Sequence, residues 1–462
     1  MSGTDTQDNP MKTLFHAYDI RGIAGEELDC EQAMAIARAF GDTVQEGDGR
    51  FVIGYDARTT SPSLAEAISL GLRSGGHHVT HIGLSSTPML YWYGAEEEFD
   101  GSVMITASHL PSRYNGFKLC AGDALPLSGD QGLPEVAARV HLPFRFDRPC
   151  TPVIHHSNPL EAYLQVMRSY LRGVKPMKLA VDAGNGIGGI DTHKVFEHFN
   201  HLWLHEINFE PDGTFPNRSP NPLLPGALTR ISQCVVKHGC AFGLAFDGDA
   251  DRAVVVDEKG AMVSPDLLGG LLATHFLHSH PGATILYDLR SSRAIPESIE
   301  AVGGKAIRTR VGHAFVKTAM REHQALFALE LSGHYYYADL HYTDNGLRTL
   351  IELAKLVSAS DKPLSELLRP LQRYALSGEI NLRIQDRTAA LAALEQAYAD
   401  ASIDHLDGLS IDYPEWWFNA RCSRTEPVLR VSAGATDPGQ LEHHLQQIRL
   451  QLEPFQQTRS PS

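Results

Sequence analysis

No stretch of this chain approaches the ~20 consecutive apolar residues that a membrane-spanning helix needs, so no membrane protein is expected. The start, MSGTDTQDNPMK, is polar and lacks the apolar core of a secretion signal. It reads as a mobile tail. Positive charge is in deficit: 40 Lys and Arg stand against 55 Asp and Glu, a formal net charge of −15. Phosphate backbones attract basic surfaces, so a general nucleic-acid binder is disfavoured. A small anionic substrate is not excluded, because local positive charge in a cleft can focus an anion inside an acidic protein. The six cysteines, Cys30, Cys120, Cys150, Cys234, Cys240 and Cys422, form no CxxC pair. That usage points to reduced thiols and a cytoplasmic location. The 23 histidines include no HExxH helix motif. A Walker A sequence is also missing, since Gly303–Gly304–Lys305 is followed by alanine.

What is present begins with length. The 462 residues exceed the roughly 250–300 that one core supports, so several domains are expected. Strands and helices alternate. Arg50–Tyr55 reads as a strand, Ser63–Ser74 as a helix, His78–Ile82 as a strand, the region of Pro88–Tyr93 as a helix and Val103–Thr106 as a strand. This βαβαβ order favours a largely parallel sheet covered by helices. The plan restarts with strand Lys178–Asp182, a helix from Leu223 to His238 and strand Ala241–Phe246. It restarts again with strand Thr284–Asp288, helix Ala294–Ala301, strand Lys305–Thr309, helix His313–Glu322 and strand Leu326–Glu330. The C-terminal part differs: a helix at Thr388–Ala399, the aromatic segment Tyr413–Phe418, a charged loop and a helix at Pro438–Leu452. Polar, proline-bearing joints are expected near Arg148–Pro152 and Asp257–Pro265. The fold class is therefore α/β: three similar units followed by a separate α+β domain.

Four stretches carry chemistry. FDGDADR follows an apolar strand and alternates Asp247, Asp249 and Asp251 with small residues. Three carboxylates so close repel one another, and a hard divalent cation such as Mg²⁺ or Ca²⁺ relieves that. The spacing to Glu258 imitates an EF-hand loop, but position six is Arg252 instead of glycine and the flanks are strands. Arg252 beside the aspartates suggests a phosphate next to the metal. In VMITASHLPSRYNGFKL, Ser108 leaves a strand end, where open α/β sheets place ligands. No GxSxG elbow surrounds it, so acyl transfer is not indicated. A phosphorylated Ser108 would complete the aspartate metal site, with His109 and Lys118 as nearby donors. LELSGHYYY places Glu330, Ser332 and His334 at a strand end, suited to sugar hydroxyls. RCSRTEPVLR gathers Arg421, Ser423, Arg424, Thr425 and Arg430, the forks and hydroxyls that a phosphate needs. Each has a plain alternative: an acidic surface turn, a turn serine, a polar turn and a solvated charged loop. A fifth stretch, Gly184-Asn-Gly186-Ile-Gly-Gly189 with Glu206 downstream, fits the dinucleotide fingerprint. It stands mid-chain with no dehydrogenase chemistry around it, so nucleotide binding is not expected.

Taken together and in this order, from about residue 11 to 455, these stretches resemble the α-D-phosphohexomutase superfamily, in particular bacterial phosphomannomutase/phosphoglucomutase. The resemblance implies four domains in a heart shape around one cleft. It divides the chain into a phosphoserine domain (1–150), a metal-binding domain (151–256), a sugar-specificity domain (257–368) and a phosphate-binding domain (369–462). It adds Tyr18 and Arg21 of FHAYDIRG, His313 of RTRVGHAFVK and Arg290 to the site. It casts Ser108 as the phosphorylated serine and Lys118 as acid or base. Asp247, Asp249 and Asp251 hold Mg²⁺ on this reading, and a hexose 1,6-bisphosphate serves as activator. The implied activity interconverts hexose 1- and 6-phosphates of mannose or glucose in a monomer or weak dimer.

Four places depart from the family pattern. Leu110 stands where asparagine is usual, Arg424 replaces the asparagine of Ser-Asn-Thr, Arg290 stands where lysine is commoner, and Val431–Ala435 is less typical. Two other functions stay open: a sugar-phosphate phosphatase using the same cleft, and a catalytically silent sugar-phosphate-binding relative.

Overall fold

The computed structural model describes residues 13–146, 154–423 and 428–456. The polar start, Cys150, the 148–152 joint, Arg424 and Thr425 lie outside the described residues. Four sheets organise the rest. The first three repeat one plan. In each, a parallel trio is extended on one side by antiparallel strands. The trios are 78–84, 50–55 and 101–105; then 202–207, 177–182 and 242–246; then 305–309, 284–288 and 327–329. The antiparallel additions are 114–121 with 20–23, then 253–256 with 262–263, then 335–337 with 343–344. The fourth sheet is antiparallel throughout, with helices Arg387–Ala397 and Pro438–Leu452 packed against it. The internal repetition expected from the sequence is thus a repeated sheet topology, and the α+β unit at the end is present.

The parallel strands read as near-continuous apolar runs because both faces are covered. Phe242–Phe246 and Gly101–Ile105 are buried at every position. A shared core joins the three units, running from Val52 and Met104 through Leu244 and Phe246 to Leu329 and Leu350.

Several expectations need correcting. The first sheet is more mixed than a βαβαβ reading allows, since Ile20–Ile23 and Tyr114–Ala121 add antiparallel strands. Asn115 and Gly116 lie inside the strand Tyr114–Ala121. A Cβ on Gly116 would sit 2.0 Å from the Ile20 carbonyl oxygen, so glycine permits the close strand approach there. The helix expected from Leu223 begins only at Thr229, because Pro225 and Gly226 hold the chain in turns. The joint expected at Asp257–Pro265 carries a hairpin, Met262–Val263 returning onto Val255 and Val256, before the helix Pro265–Ser279 starts. The five described cysteines are free thiols. Among the described residues no helix is long and apolar enough to cross a membrane.

Candidate active site

Side chains beyond the carboxyl ends of parallel strands face a common cleft in this type of sheet. The three trios deliver their polar residues there: Asp56 and Ser108 from the first, Asp182 and Asp247 from the second, Asp288 and Glu330 from the third.

Ser108 is 1 % exposed and holds a left-handed backbone, φ 50°. Its amide donates to the Thr106 hydroxyl at 2.8 Å, and Thr106 donates to Asp56 at 2.7 Å. Arg58 supplies the rest of the frame. Its guanidinium donates to the carbonyls of Ser108, Leu110, Pro111 and Tyr114 at 2.7–2.9 Å and to Asp56 at 3.1 Å. The turn is thus clamped by an arginine 50 residues away. Leu110, the departing residue, contributes its carbonyl to that clamp and lines the cleft.

The serine hydroxyl donates to Asp247 Oδ2 at 2.8 Å, across the boundary between the first and second sheets. Asp247, Asp249 and Asp251 are fully buried, with one oxygen of each within 4.8 Å of the others. Lys118 donates to Asp249 Oδ2 at 2.6 Å and also contacts Asp251. Burial by itself would lower the Lys118 ammonium, but Asp249 and Asp251 outweigh it and raise the group far above the usual lysine range. Burial together with Asp251 and Asp249 raises Asp247 well above the usual carboxylate range. Asp249 Oδ1 and Asp251 Oδ1 are buried without a hydrogen-bond partner among the described residues. Hard oxygen donors left unsatisfied in a closed trio fit a divalent cation. The EF-hand spacing is incidental, since Glu258 accepts from Ser365 instead.

A second chain of contacts leads away from the trio. Arg252 Nε donates to His334 Nε2 at 2.7 Å. His334 Nδ1 therefore carries the ring proton and donates to Asp344 at 2.7 Å. Asp344 pairs with Lys317 at 2.8 Å, and both are fully buried. Lys317 lies over the Tyr91 ring of the first unit at 3.8 Å. His313 stacks against His334 at 6.0 Å, and neither of its ring nitrogens has a hydrogen-bond partner among the described residues. Burial, Lys317 and Lys118 push His313 well below the usual histidine range. Burial, Arg252 and Arg21 do the same to His109, whose Nδ1 is 3.4 Å from the Ser108 hydroxyl.

Above these residues opens a cleft of about 710 Å³, lined by Tyr18, Arg21 and His109 on one side and Arg421, Ser423 and Arg430 on the other. Tyr18 packs edge-on against His313, and Arg21 pairs with Asp19. Glu379, from the first strand of the fourth sheet, pairs with Arg421 and with Arg430 at 3.2 Å, and lies 3.7 Å from Arg290. Arg290 in turn forks onto Asp288. Glu330 accepts from the Gly312 amide and from Tyr336, so its oxygens are engaged within the third unit. Ser332 occupies the turn between Leu329 and Tyr335. Ser423 accepts from Arg387 through its carbonyl at 3.0 Å.

The structure thus gathers Ser108, Lys118, the three aspartates, Arg252, His334 and His313 into one connected cluster. Tyr18, Arg21, His109 and the fourth-unit residues face the cleft above it. Sequence reasoning missed Arg58, Asp56, Lys317, Asp344 and Glu379. Only DART, where an aspartate and an arginine follow a strand, carried a faint local signal for the first two.

The glycine-rich stretch has a packing explanation. A Cβ on Gly184 would meet the Arg218 guanidinium at 2.5 Å, and one on Gly186 would meet the Gly248 carbonyl oxygen of the aspartate loop at 2.6 Å.

Comparison with known proteins gives a consistent result. Residues 12–141, 160–260 and 264–374 match the three alpha/beta/alpha domain patterns of phosphoglucomutase/phosphomannomutase, domains I, II and III. The chain is 38% identical over 440 residues to the phosphohexose mutases of Xanthomonas campestris pv. campestris, covering 94% of this chain and 98% of that protein. It is 38% identical over 432 residues to the phosphomannomutase of Escherichia coli, covering 91% and 94%. Among solved structures it is similar to a phosphoglucomutase/phosphomannomutase family protein from Burkholderia thailandensis, with TM-score 0.87 and 31% identity over 96% of this chain and 97% of that one.

Proposed function

The chain belongs to the phosphoglucomutase/phosphomannomutase family of the α-D-phosphohexomutases and is a hexose phosphate mutase, and on that premise we propose that it works through a phosphorylated Ser108 and a hexose 1,6-bisphosphate. The observation that carries this reading is the Ser108 hydroxyl, held 2.8 Å from Asp247 within the buried aspartate trio. Phospho-Ser108 transfers its phosphoryl group to the free hydroxyl of a hexose monophosphate: the serine P–O bond breaks, the sugar P–O bond forms and the sugar hydroxyl loses its proton. The bisphosphate turns over in the cleft, and Ser108 takes back the other phosphoryl group. The product is the positional isomer.

Asp247, Asp249 and Asp251 would hold Mg²⁺, which when bound offsets the charge of the phosphoryl group. Lys118, kept as an ammonium by Asp249 and Asp251, supplies positive charge and a hydrogen-bond donor rather than acting as a base. His109, with Nδ1 3.4 Å from the Ser108 hydroxyl, and His313, with neither ring nitrogen hydrogen-bonded among the described residues, offer acceptors for the sugar hydroxyl proton. Arg421, Ser423 and Arg430, with Arg424 and Thr425, take the phosphate that does not react. Ser332 reads sugar hydroxyls together with Glu330 and His334, which must first exchange part of their contacts to Tyr336, Gly312, Arg252 and Asp344 for the sugar, and Tyr18, Arg21, Arg252 and Arg290 lie along the path between the two phosphates. The division of the chain at residues 150, 256 and 368 is part of the same reading, with the second boundary moved past Val263 because Met262–Val263 pairs within the second sheet, as are mannose or glucose as the sugar and a cytoplasmic setting.

The test is mutase turnover of Ser108→Ala with Mg²⁺ and hexose 1,6-bisphosphate. Loss of about a thousandfold or more in kcat is expected for a missing nucleophile. Activity near the wild-type level refutes the assignment. Release of inorganic phosphate from wild-type enzyme without isomer formation marks a phosphatase instead.

A further inference from the structure

A second group of metal-ligating side chains lies in the second unit, away from the cleft. His205 is on the edge strand Leu202–Ile207, and Cys234 and His238 are on the helix Thr229–His238. Residues four apart on a helix share a face, so Cys234 and His238 present their side chains together. The ring of His205 meets that of His238, centroids 4.2 Å apart and 30° between planes. One ligand atom from each of the three residues falls within 4.8 Å of the other two. The group is reachable: Cys234 and His205 are half-buried and His238 is exposed.

From this juxtaposition we infer that His205, Cys234 and His238 form a site for a borderline-soft divalent metal of the zinc class, separate from the aspartate trio. A thiolate and two imidazoles are donors that zinc and cobalt accept readily and magnesium does not. Tetrahedral zinc with bonds of about 2.0–2.3 Å separates its ligand atoms by roughly 3.3–3.6 Å, so the side chains need only close in by about an ångström. Burial and the neighbouring His238 lower the His205 imidazole, which keeps it in the neutral, ligating form. Burial raises the Cys234 thiol while Lys237 and Arg230 lower it, so the metal itself displaces the thiol proton into solvent as the S–metal bond forms. Three protein ligands leave a fourth position for water or a further ligand.

The place of the site in the fold tells what it does. The helix Thr229–His238 leads into the strand Phe242–Phe246, and the aspartate loop leaves that strand's other end. Five residues of strand, roughly 16 Å, separate the two sites. A metal here cannot touch the reacting phosphate. It clips the edge strand Leu202–Ile207, otherwise paired on one side only among the described residues, to the helix Thr229–His238.

Cobalt(II) titration in excess Mg²⁺ tests the site, because Mg²⁺ occupies the aspartates and only a sulfur ligand gives a thiolate-to-cobalt charge-transfer band. Wild-type protein is expected to develop that band at one equivalent and to melt at a higher temperature with the metal bound. Cys234→Ser is expected to lose both. His205→Ala and His238→Ala are expected to weaken binding by about tenfold or more, and Cys240→Ser to retain the band. Mutase activity in Mg²⁺ stays unchanged in Cys234→Ser, which shows that the variant is folded. Absence of a thiolate band in wild-type protein, or its persistence in Cys234→Ser, overturns the inference.

Discussion

Among single residues, Ser108 is held by a group from outside its own loop. A serine in a left-handed backbone conformation is strained, and here the strain is paid for by Arg58, whose five donors are all directed inward at four carbonyls and one carboxylate. Replacing Arg58 by methionine removes the clamp and leaves Asp56 buried with its charge less compensated, a change that costs about 3–5 kcal/mol for a broken buried pair. Displacing a reacting group by an ångström costs about a hundredfold in rate. Arg58→Met is therefore expected to lower kcat/KM by about that factor with little change in phosphosugar binding. Arg58→Lys is expected to rescue little, since an ammonium has three donors and no planar fork. Steady-state kinetics beside a thermal melt checks this; a variant that loses stability but keeps kcat contradicts the positioning role. Much at this scale was legible in the sequence. The aspartate trio and Ser108 stood out because each follows an apolar strand and breaks its pattern. Arg58, Lys317, Asp344 and Glu379 did not, because their partners lie far away in the chain: Arg58 with 108–114, Lys317 with Asp344, Glu379 with Arg421. A buried charge is recognised by its partner, and local sequence does not supply the partner.

Among elements, the joint between the first and second units rests on helix starts meeting strand ends. Ser86 caps the helix Thr87–Glu96 and donates to Asp191 at 2.6 Å, in the first turn of the helix Gly188–Phe196. Burial raises Asp191 to about 6, against a smaller lowering by Ser86. A carboxyl raised in the folded state contributes stability below its unfolded value near 3.8 and loses it as pH rises through about 6. The difference corresponds to about 3 kcal/mol at neutral pH. Asp191→Asn keeps an acceptor for Ser86 and carries no charge. It is expected to melt above the wild type at about pH 7.5 and to match it near pH 4; a gap independent of pH contradicts the claim. Element boundaries were legible wherever periodicity and caps agreed, as at Thr284–Asp288 and Pro438–Leu452. They failed where tertiary pairing decided. Tyr114–Ala121 becomes a strand by pairing with Gly101–Ile105, and Ile20–Ile23 by pairing with Tyr114–Ala121 in turn, and no pattern within either stretch states that.

Across the whole molecule, the fourth unit must approach the other three for Arg421 and Arg430 to reach a substrate beside Ser108. Arg293 of the third unit holds it. The guanidinium donates to the carbonyls of Tyr413 and Pro414 at 2.8 and 2.9 Å and to Asp412 at 3.1 Å, and lies over Trp417 at 4.5 Å. Arg308 adds a further contact to Asp412 at 3.1 Å. Arg293→Ala is expected to loosen this joint, raising KM about tenfold more than it lowers kcat and enlarging the radius of gyration in solution scattering. An unchanged KM and radius would mean that the joint does not set the cleft. The claim on which everything else depends is that Ser108 carries the transferred phosphoryl group. The most direct measurement is mass spectrometry of the peptide containing residues 103–119, taken from enzyme incubated with Mg²⁺ and hexose 1,6-bisphosphate and then with a hexose monophosphate alone. One phosphoryl group on Ser108 after the first step, lost to the sugar after the second, is the expected result; a peptide that stays unmodified while isomerisation proceeds would contradict it.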